Sequence, residues 1–292
     1  SPFYGTMGGQ QGDQGKICSG TSVFTVEETI HLQGGKLAHL GTVEQGGFSV
    51  GDSVTLVVDA KKRALTARNH TATHLLQKAL KETLGSHVEQ AGAYYDDKRL
   101  RFDFTHFTAL TKEELEKVEN LVNEEIARGD VVLTREMPIE EAKKSGATAL
   151  FGEKYGDTVR VVSVGDFSIE LCGGTHVENS SSIQAFKILS EQGVAAGVRR
   201  IEAITSQNLF DYFHHEEELL KSLSGKLKAD PEHLLARVES LEKELKESRS
   251  QCEQLKAKLA NAEVEDLAVV EYKDCSLIAA NIPGMDRNAL RN

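Results

Sequence analysis

The chain opens with short alternating stretches punctuated by glycine over residues 1–62, where Gly8-Gly9, Gly12, Gly15, Gly34-Gly35 and Gly46-Gly47 break the pattern. Val54 to Val58 reads as a strand, and the region as a small all-β unit, expected to close into a barrel. The period then changes. Asn69 is placed as an N-cap, and Leu75, Leu76, Ala79, Leu80 and Leu84 give a helical face from His70 to Leu84, ended by Gly85. Val88–Tyr95 and Leu100–Phe104 predict a strand pair turning at Asp96-Asp97. Thr111 and Glu114 form a capping box for a second helix running to about Arg128. Strands follow at Val131–Arg135, Val159–Val164, Phe167–Cys172, Ala185–Glu191 and Val198–Ile204, with a short helix from Ile139 to Ser145. Strands with a few helices and no β-α-β rhythm predict an α+β domain over residues 63–207.

Beyond residue 207 the spacing becomes heptad-like. Leu234, Val238, Leu241, Leu245, Cys252, Leu255 and Leu259 fall three and four apart, with Ser248 breaking the series. Asp230 followed by Pro231 marks the start of that helix, and Leu219, Leu220, Leu223 and Leu227 give an earlier one. Residues 208–263 are therefore expected to be a helical or coiled-coil linker, through which two copies could pair; an intramolecular hairpin satisfies the same pattern. Residues 264–292 begin another unit, with a strand at Leu277–Ala280, then Pro283-Gly284 and a helix start at Asp286. The start at Ser1, without an initiator Met and inside what reads as a strand, implies that residues upstream are missing.

Composition narrows the class. The 292 residues are 39% hydrophobic and 27% charged, as in soluble globular chains. No apolar run reaches membrane-spanning length, and no signal peptide is visible. The formal net charge of −11 argues against a nucleic-acid binder unless charge is segregated. Segregation exists: residues 211–267 carry 14 Asp and Glu against 9 Lys and Arg, leaving −6 on the much longer remainder. Four scattered cysteines favour a reducing, cytoplasmic compartment over a disulfide framework.

Two half-motifs carry chemistry. His70 and His74 lie four apart on a predicted helix, which brings their Cβ atoms to about 5–6 Å on one face. Cys172-Gly173-Gly174-Thr175-His176 follows a strand, and its two glycines allow the sharp turn that returns the sulfur and imidazole toward one point. Each half alone also fits an ordinary core or loop residue. Together they offer three nitrogens and one sulfur, a donor set suited to tetrahedral Zn²⁺. Four protein ligands equally suit a purely structural zinc. The other seven histidines show no comparable spacing.

These stretches resemble the editing region of the alanyl-tRNA synthetase family. The resemblance runs through Gly8-Gly9-Gln10, His70-Thr71-Ala72-Thr73-His74, Leu100 to Phe104, Ala149 to Gly156, Glu170 to Val177, and Gly197 to Glu202. It covers residues 1–207; residues 208–263 match the family's linker in pattern only, and 264–292 look like the start of its C-terminal domain. One departure is that Gly5-Thr6-Met7 stands where the family usually has an acidic residue. The resemblance implies zinc-dependent hydrolysis of tRNA for alanine mischarged with serine or glycine. It further implies that Gln90 and Arg199 belong to the site, with Gln90 facing the substrate side chain and Arg199, with Arg200, near tRNA phosphates. The ATP-using, adenylate-forming region of the family has no counterpart here, so this chain is not expected to charge tRNA. Free-standing editing proteins and threonyl-tRNA synthetases carry similar domains. A non-catalytic, structural-zinc tRNA-binding and dimerisation module is the alternative from another class.

Overall fold

The computed structural model describes residues 1–148, 156–265 and 269–277. Two compact units emerge, Ser1–Phe213 and His214–Asn292.

The first unit opens with an antiparallel sheet of β1 (Gly15–Ser19), β2 (Ser22–Leu32), β3 (Lys36–Gln45) and β4 (Thr55–Val58), ordered β3-β2-β1-β4. This corrects the barrel expected over residues 1–62. The sheet is open, with β3 and β4 at its edges. Closure requires edge strands long enough to meet after tilting. Here β4 has four residues and leads directly into a helix.

That helix, α1 (Ala60–Leu84), starts nine residues before the expected N-cap. Its cap is Asp59, whose carboxylate accepts from the Lys62 amide. Asn69 instead sits buried inside the helix. Its amide donates to the Asp96 carbonyl at 2.8 Å, and its side-chain oxygen accepts from the Thr205 hydroxyl at 2.7 Å. The polar side chain that looked like a cap is thus satisfied by tertiary partners, and the 62/63 boundary falls inside α1.

The remaining elements follow the expected order. A hairpin of β5 (Gln90–Tyr95) and β6 (Leu100–Thr105) precedes α2 (Lys112–Arg128), which carries the full capping box of Thr111 and Glu114. Next come β7 (Val132–Pro138), α3 (Ile139–Lys144), β8 (Thr158–Val164), β9 (Ser168–Leu171), β10 (Phe186–Ala195) and β11 (Val198–Thr205). The second sheet, β10-β11-β6-β5, is antiparallel, and the third orders β7-β8-β9. Phe102, Phe104, Ile201 and Ala203 of the second sheet bury with Leu75, Leu76, Ala79 and Leu80 of α1 and Val118, Val122 and Ile126 of α2. Each fully buried side chain of this size stabilises the fold by roughly 1.5–3 kcal/mol. A smaller core of Ala142, Val159, Val161 and Leu171 holds β8 and β9 together. The site is positioned between these elements: α1 is anchored in the larger core, and β9 delivers Cys172 from the smaller one.

α4 (Ser206–Leu227) leads from the first unit into the second, where α5 (Leu234–Glu265) follows a single turn at Pro231–His233. Val238, Leu245, Leu255 and Leu259 of the heptad stripe are exposed. A hairpin of β12 (Val270–Tyr272) and β13 (Cys275–Leu277) follows. The Ala149–Tyr155 part of the resemblance and the features expected after Leu277 lie outside the described residues.

Candidate metal centre

One helical turn separates His70 and His74, and their ring centroids are 5.1 Å apart. His70 is stacked on Tyr95 at 4.0 Å. Cys172 leaves the end of β9, and the Gly173-Gly174-Thr175 turn returns the chain so that His176 lies 4.2 Å from His70 and 4.7 Å from His74, ring to ring. No side chain fits at Gly174, because a Cβ there would stand 2.0 Å from His70 Cε1 and 2.7 Å from Gln10 Oε1. The potential ligand atoms of His70, His74, Cys172 and His176 all lie within 4.8 Å of one another. Among the described residues, this is the one such cluster of three or more His, Cys, Asp or Glu. Cys172 Sγ is 3.2 Å from His70 Nε2 and 3.3 Å from His176 Nε2. Tetrahedral coordination with ordinary Zn–S and Zn–N bonds separates sulfur from nitrogen by about 3.6 Å. The donor set and its spacing therefore fit such an ion.

The outward nitrogens are also accounted for. His70 Nδ1 meets Gln10 Oε1 at 2.9 Å and His176 Nδ1 meets the Thr71 hydroxyl at 3.1 Å. Those contacts leave both Nε2 atoms turned toward the sulfur. His74 Nδ1 is buried without a hydrogen-bond partner, 3.7 Å from Glu170 Oε2. Outer contacts of this kind fix the tautomer and orientation of ligand imidazoles.

Electrostatics divides the three imidazoles. Burial, then His74 and Arg160, push His70 well below the usual range; His176 shifts the same way, with burial first and His70 next. Both are held neutral, as ligands must be. For His74, burial also acts downward, but Glu170 and Cys172 outweigh it and raise the value to about 9. Glu170 is itself pushed up by burial, against the pull of His74 and the Ser168 hydroxyl.

Arg160 on β8 staples the turn. Its Nη1 donates to the carbonyls of Cys172 at 2.8 Å and Gly174 at 2.7 Å, while its own carbonyl accepts from the Cys172 amide.

Three members of the cluster, His70, His74 and Cys172, form one wall of a cleft that Tyr4, Thr73, Gln90, Thr148 and Glu170 also line, while His176 faces a second cavity with Arg63 and Arg68. Gln90, at the start of β5, thus lines the same cleft as His70, His74 and Cys172. Arg199 does not line this cleft. Its guanidinium is held by both carboxylate oxygens of Glu191, and Arg200 is paired likewise with Asp103 at 2.7 and 2.8 Å. Thr6, at the position of the missing acid, is exposed, and its hydroxyl accepts from the Gly12 amide and donates to the Thr29 carbonyl.

Sequence reasoning did not single out Thr71, Arg160 or Glu170, and it read Gln10 only as part of a glycine-rich motif. Alternation along β9 places Glu170 two residues from Cys172, a usable signal. Nothing local marks Arg160.

The turn half of the cluster falls within residues 159–202, which match the model described as "Threonyl and Alanyl tRNA synthetase second additional domain". Residues 1–62 match "tRNA synthetases class II (A)". Cys172, His176 and the strands around them are thus of the class of second additional domains of these synthetases. Matches over the whole of this chain go further. The chain is 58% identical over 294 residues to Alanine--tRNA ligase 1 of Lachnoclostridium phytofermentans, covering 100% of this chain and 33% of that protein. It is 48% identical to Alanine--tRNA ligase of Acetivibrio thermocellus and 47% identical to that of Cupriavidus necator, with the same coverage of each. The chain belongs to the alanyl-tRNA synthetase family and spans about a third of the length of the curated relatives it matches.

Proposed function

We propose that this chain carries the editing site of the family and hydrolyses the ester joining serine or glycine to tRNA for alanine, with Zn²⁺ held by His70, His74, Cys172 and His176. The observation that supports this best is the convergence of four ligand atoms within 4.8 Å, three of whose residues line a cleft together with Gln90. When bound, zinc supplies Lewis-acid charge for the ester carbonyl or an acidified water. The protein's own residues supply selection and orientation. Size alone cannot sort the errors, since serine is larger than alanine and glycine smaller. Gln90 is assigned to the serine hydroxyl: alanine would leave its carboxamide unpaired, at a cost of about 1–3 kcal/mol. Tyr4, whose pKa burial raises to about 12, stays a phenol and donates to the Met7 carbonyl at the cleft rim. The pair with Glu191 takes the Nε and one Nη2 donor of Arg199, so a tRNA phosphate would be met by the donors left on Nη1 and Nη2. A cytoplasmic setting, which keeps Cys172 a thiol, belongs to the same reading.

A second reading is favoured by the ligand count. Four protein ligands describe a closed, structural ion in a tRNA-binding module. Deacylation of Ser-tRNA and Ala-tRNA for alanine, with the chain and its Cys172→Ala variant, separates the two. Zinc-dependent loss of Ser-tRNA, abolished in the variant, is expected. Retention of zinc with no hydrolysis of either substrate would overturn the catalytic reading.

A further inference from the structure

One side chain outside the ligand set touches both halves of the cluster. Gln10 is fully buried. Its Oε1 accepts from the Thr175 amide at 2.9 Å and meets His70 Nδ1 at 2.9 Å, while its Nε2 donates to the Thr175 hydroxyl at 2.9 Å. The backbone around it is bolted to β5. Gln11 N donates to the Tyr95 carbonyl and Tyr95 N to the Gly9 carbonyl, both at 3.0 Å. The Tyr95 hydroxyl, on the ring that stacks against His70, donates to the Gly8 carbonyl. Gly9 permits this contact: its φ is +86°, and a Cβ would lie 2.4 Å from the Ala93 carbonyl oxygen.

The amide orientation of Gln10 follows from its partners. A backbone N–H can only donate, so the atom facing Thr175 N is the carbonyl oxygen, which can only accept. The same oxygen faces His70 Nδ1, so Nδ1 carries the proton. The lone pair is then on Nε2, the nitrogen 3.2 Å from Cys172 Sγ.

We propose that Gln10 is a positioning residue for the metal site: it fixes the Nδ1–H tautomer of His70 and clamps the Gly174–Thr175 turn against it. The loop of residues 7–11 is thereby a working part of a centre whose ligands all come from elsewhere. This inference rests on the metal reading above for its consequence, but the tautomer it predicts does not.

The test uses the ¹⁵N-labelled 292-residue chain with Gln10→Met, which keeps the side chain's length and removes both amide functions, and Gln10→Glu, which keeps the acceptor. Long-range ¹H–¹⁵N spectra of the metal-free proteins read the His70 tautomer, assigned by its loss in His70→Gln. Competition with a chromophoric chelator reads the affinity for Zn²⁺ alone. Wild type and Gln10→Glu are expected to hold His70 as Nδ1–H only. Gln10→Met should mix tautomers and bind Zn²⁺ about 10–100-fold more weakly. An Nε2–H tautomer in the wild type, or a Gln10→Met protein with unchanged tautomer and affinity, would overturn the proposal. If Gln10→Met does not fold, the wild-type and Gln10→Glu tautomers still decide it. Failure of the wild type to bind Zn²⁺ while His70 remains Nδ1–H would sink the metal reading and leave the Gln10 assignment standing.

Discussion

Replacing Arg160 with methionine isolates what holds the Cys172–His176 turn in place. Methionine keeps a long apolar stem and removes the guanidinium. The carbonyls of Cys172 and Gly174 then lose donors at 2.8 and 2.7 Å. A hydrogen bond to a charged group contributes about 1.5–3 kcal/mol. Both bonds are only partly buried, so water recovers a share, and a net loss of about 2–4 kcal/mol is expected locally. Metal affinity is a poor readout here, because removing a cation also relieves repulsion of a bound metal. Global unfolding is poor as well, because the chain has two compact units. Local opening is the direct measure. The Cys172 amide donates to the Arg160 carbonyl at 3.0 Å and the Gly174 amide to Cys172 Sγ at 3.4 Å. Native-state hydrogen exchange of those two amides in the metal-free chain should accelerate by about 30- to 800-fold in Arg160→Met, taking 1.4 kcal/mol per tenfold. Amides in α2, which share no partner with Arg160, should not change. Exchange at Cys172 and Gly174 equal to wild type would show that the turn holds itself and that the staple is incidental.

Two further outcomes are expected. Without metal, His70 and His176 are held neutral by burial, whereas in the unfolded chain they titrate near the ordinary imidazole value of about 6.5. The unfolded state thus takes up protons that the folded state refuses, and this contribution to stability is lost as pH falls below about 6.5. His74, raised to about 9, acts oppositely: its contribution is present below the unfolded value and lost as pH rises through about 9. With two groups against one, the calorimetric transition of the unit that holds these histidines, Ser1–Phe213, should fall in the metal-free chain between pH 7 and 5; a flat profile there would refute the assignment of buried neutral imidazoles. Sedimentation velocity should find a dimer through the α5 stripe, with Leu245→Glu and Leu255→Glu returning it to monomer, since both leucines are exposed in the single chain. A wild-type monomer at all concentrations would favour the solvated helix.

Much of the molecule was legible along the chain because its determinants are local. The capping box at Thr111 and Glu114, the alternation along β8 and β9, and the one-turn spacing of His70 and His74 each depend on residues within a few positions of one another. The quartet itself could be proposed from two such half-motifs. The errors arose where a local pattern had a distant competitor. Asn69 has the chemistry of a helix cap, but its amide is spent on Asp96 and Thr205, and Asp59 caps the helix instead. The short strands of residues 1–62 suggested closure, yet pairing decides closure, and β3 and β4 remain edges.

The outer contacts of the histidine-cysteine cluster show the same limit. Gln10 lies 60 positions from His70, and Thr71 lies 105 from His176. Glu170 is two positions from Cys172, but the imidazole it raises belongs to α1. The sequence by itself determined which atoms are available as ligands and which elements carry them. Only the tertiary structure decided which nitrogen of His70 and of His176 faces the sulfur, because that choice is made by hydrogen bonds between segments whose separation in sequence has no bearing on their distance in space.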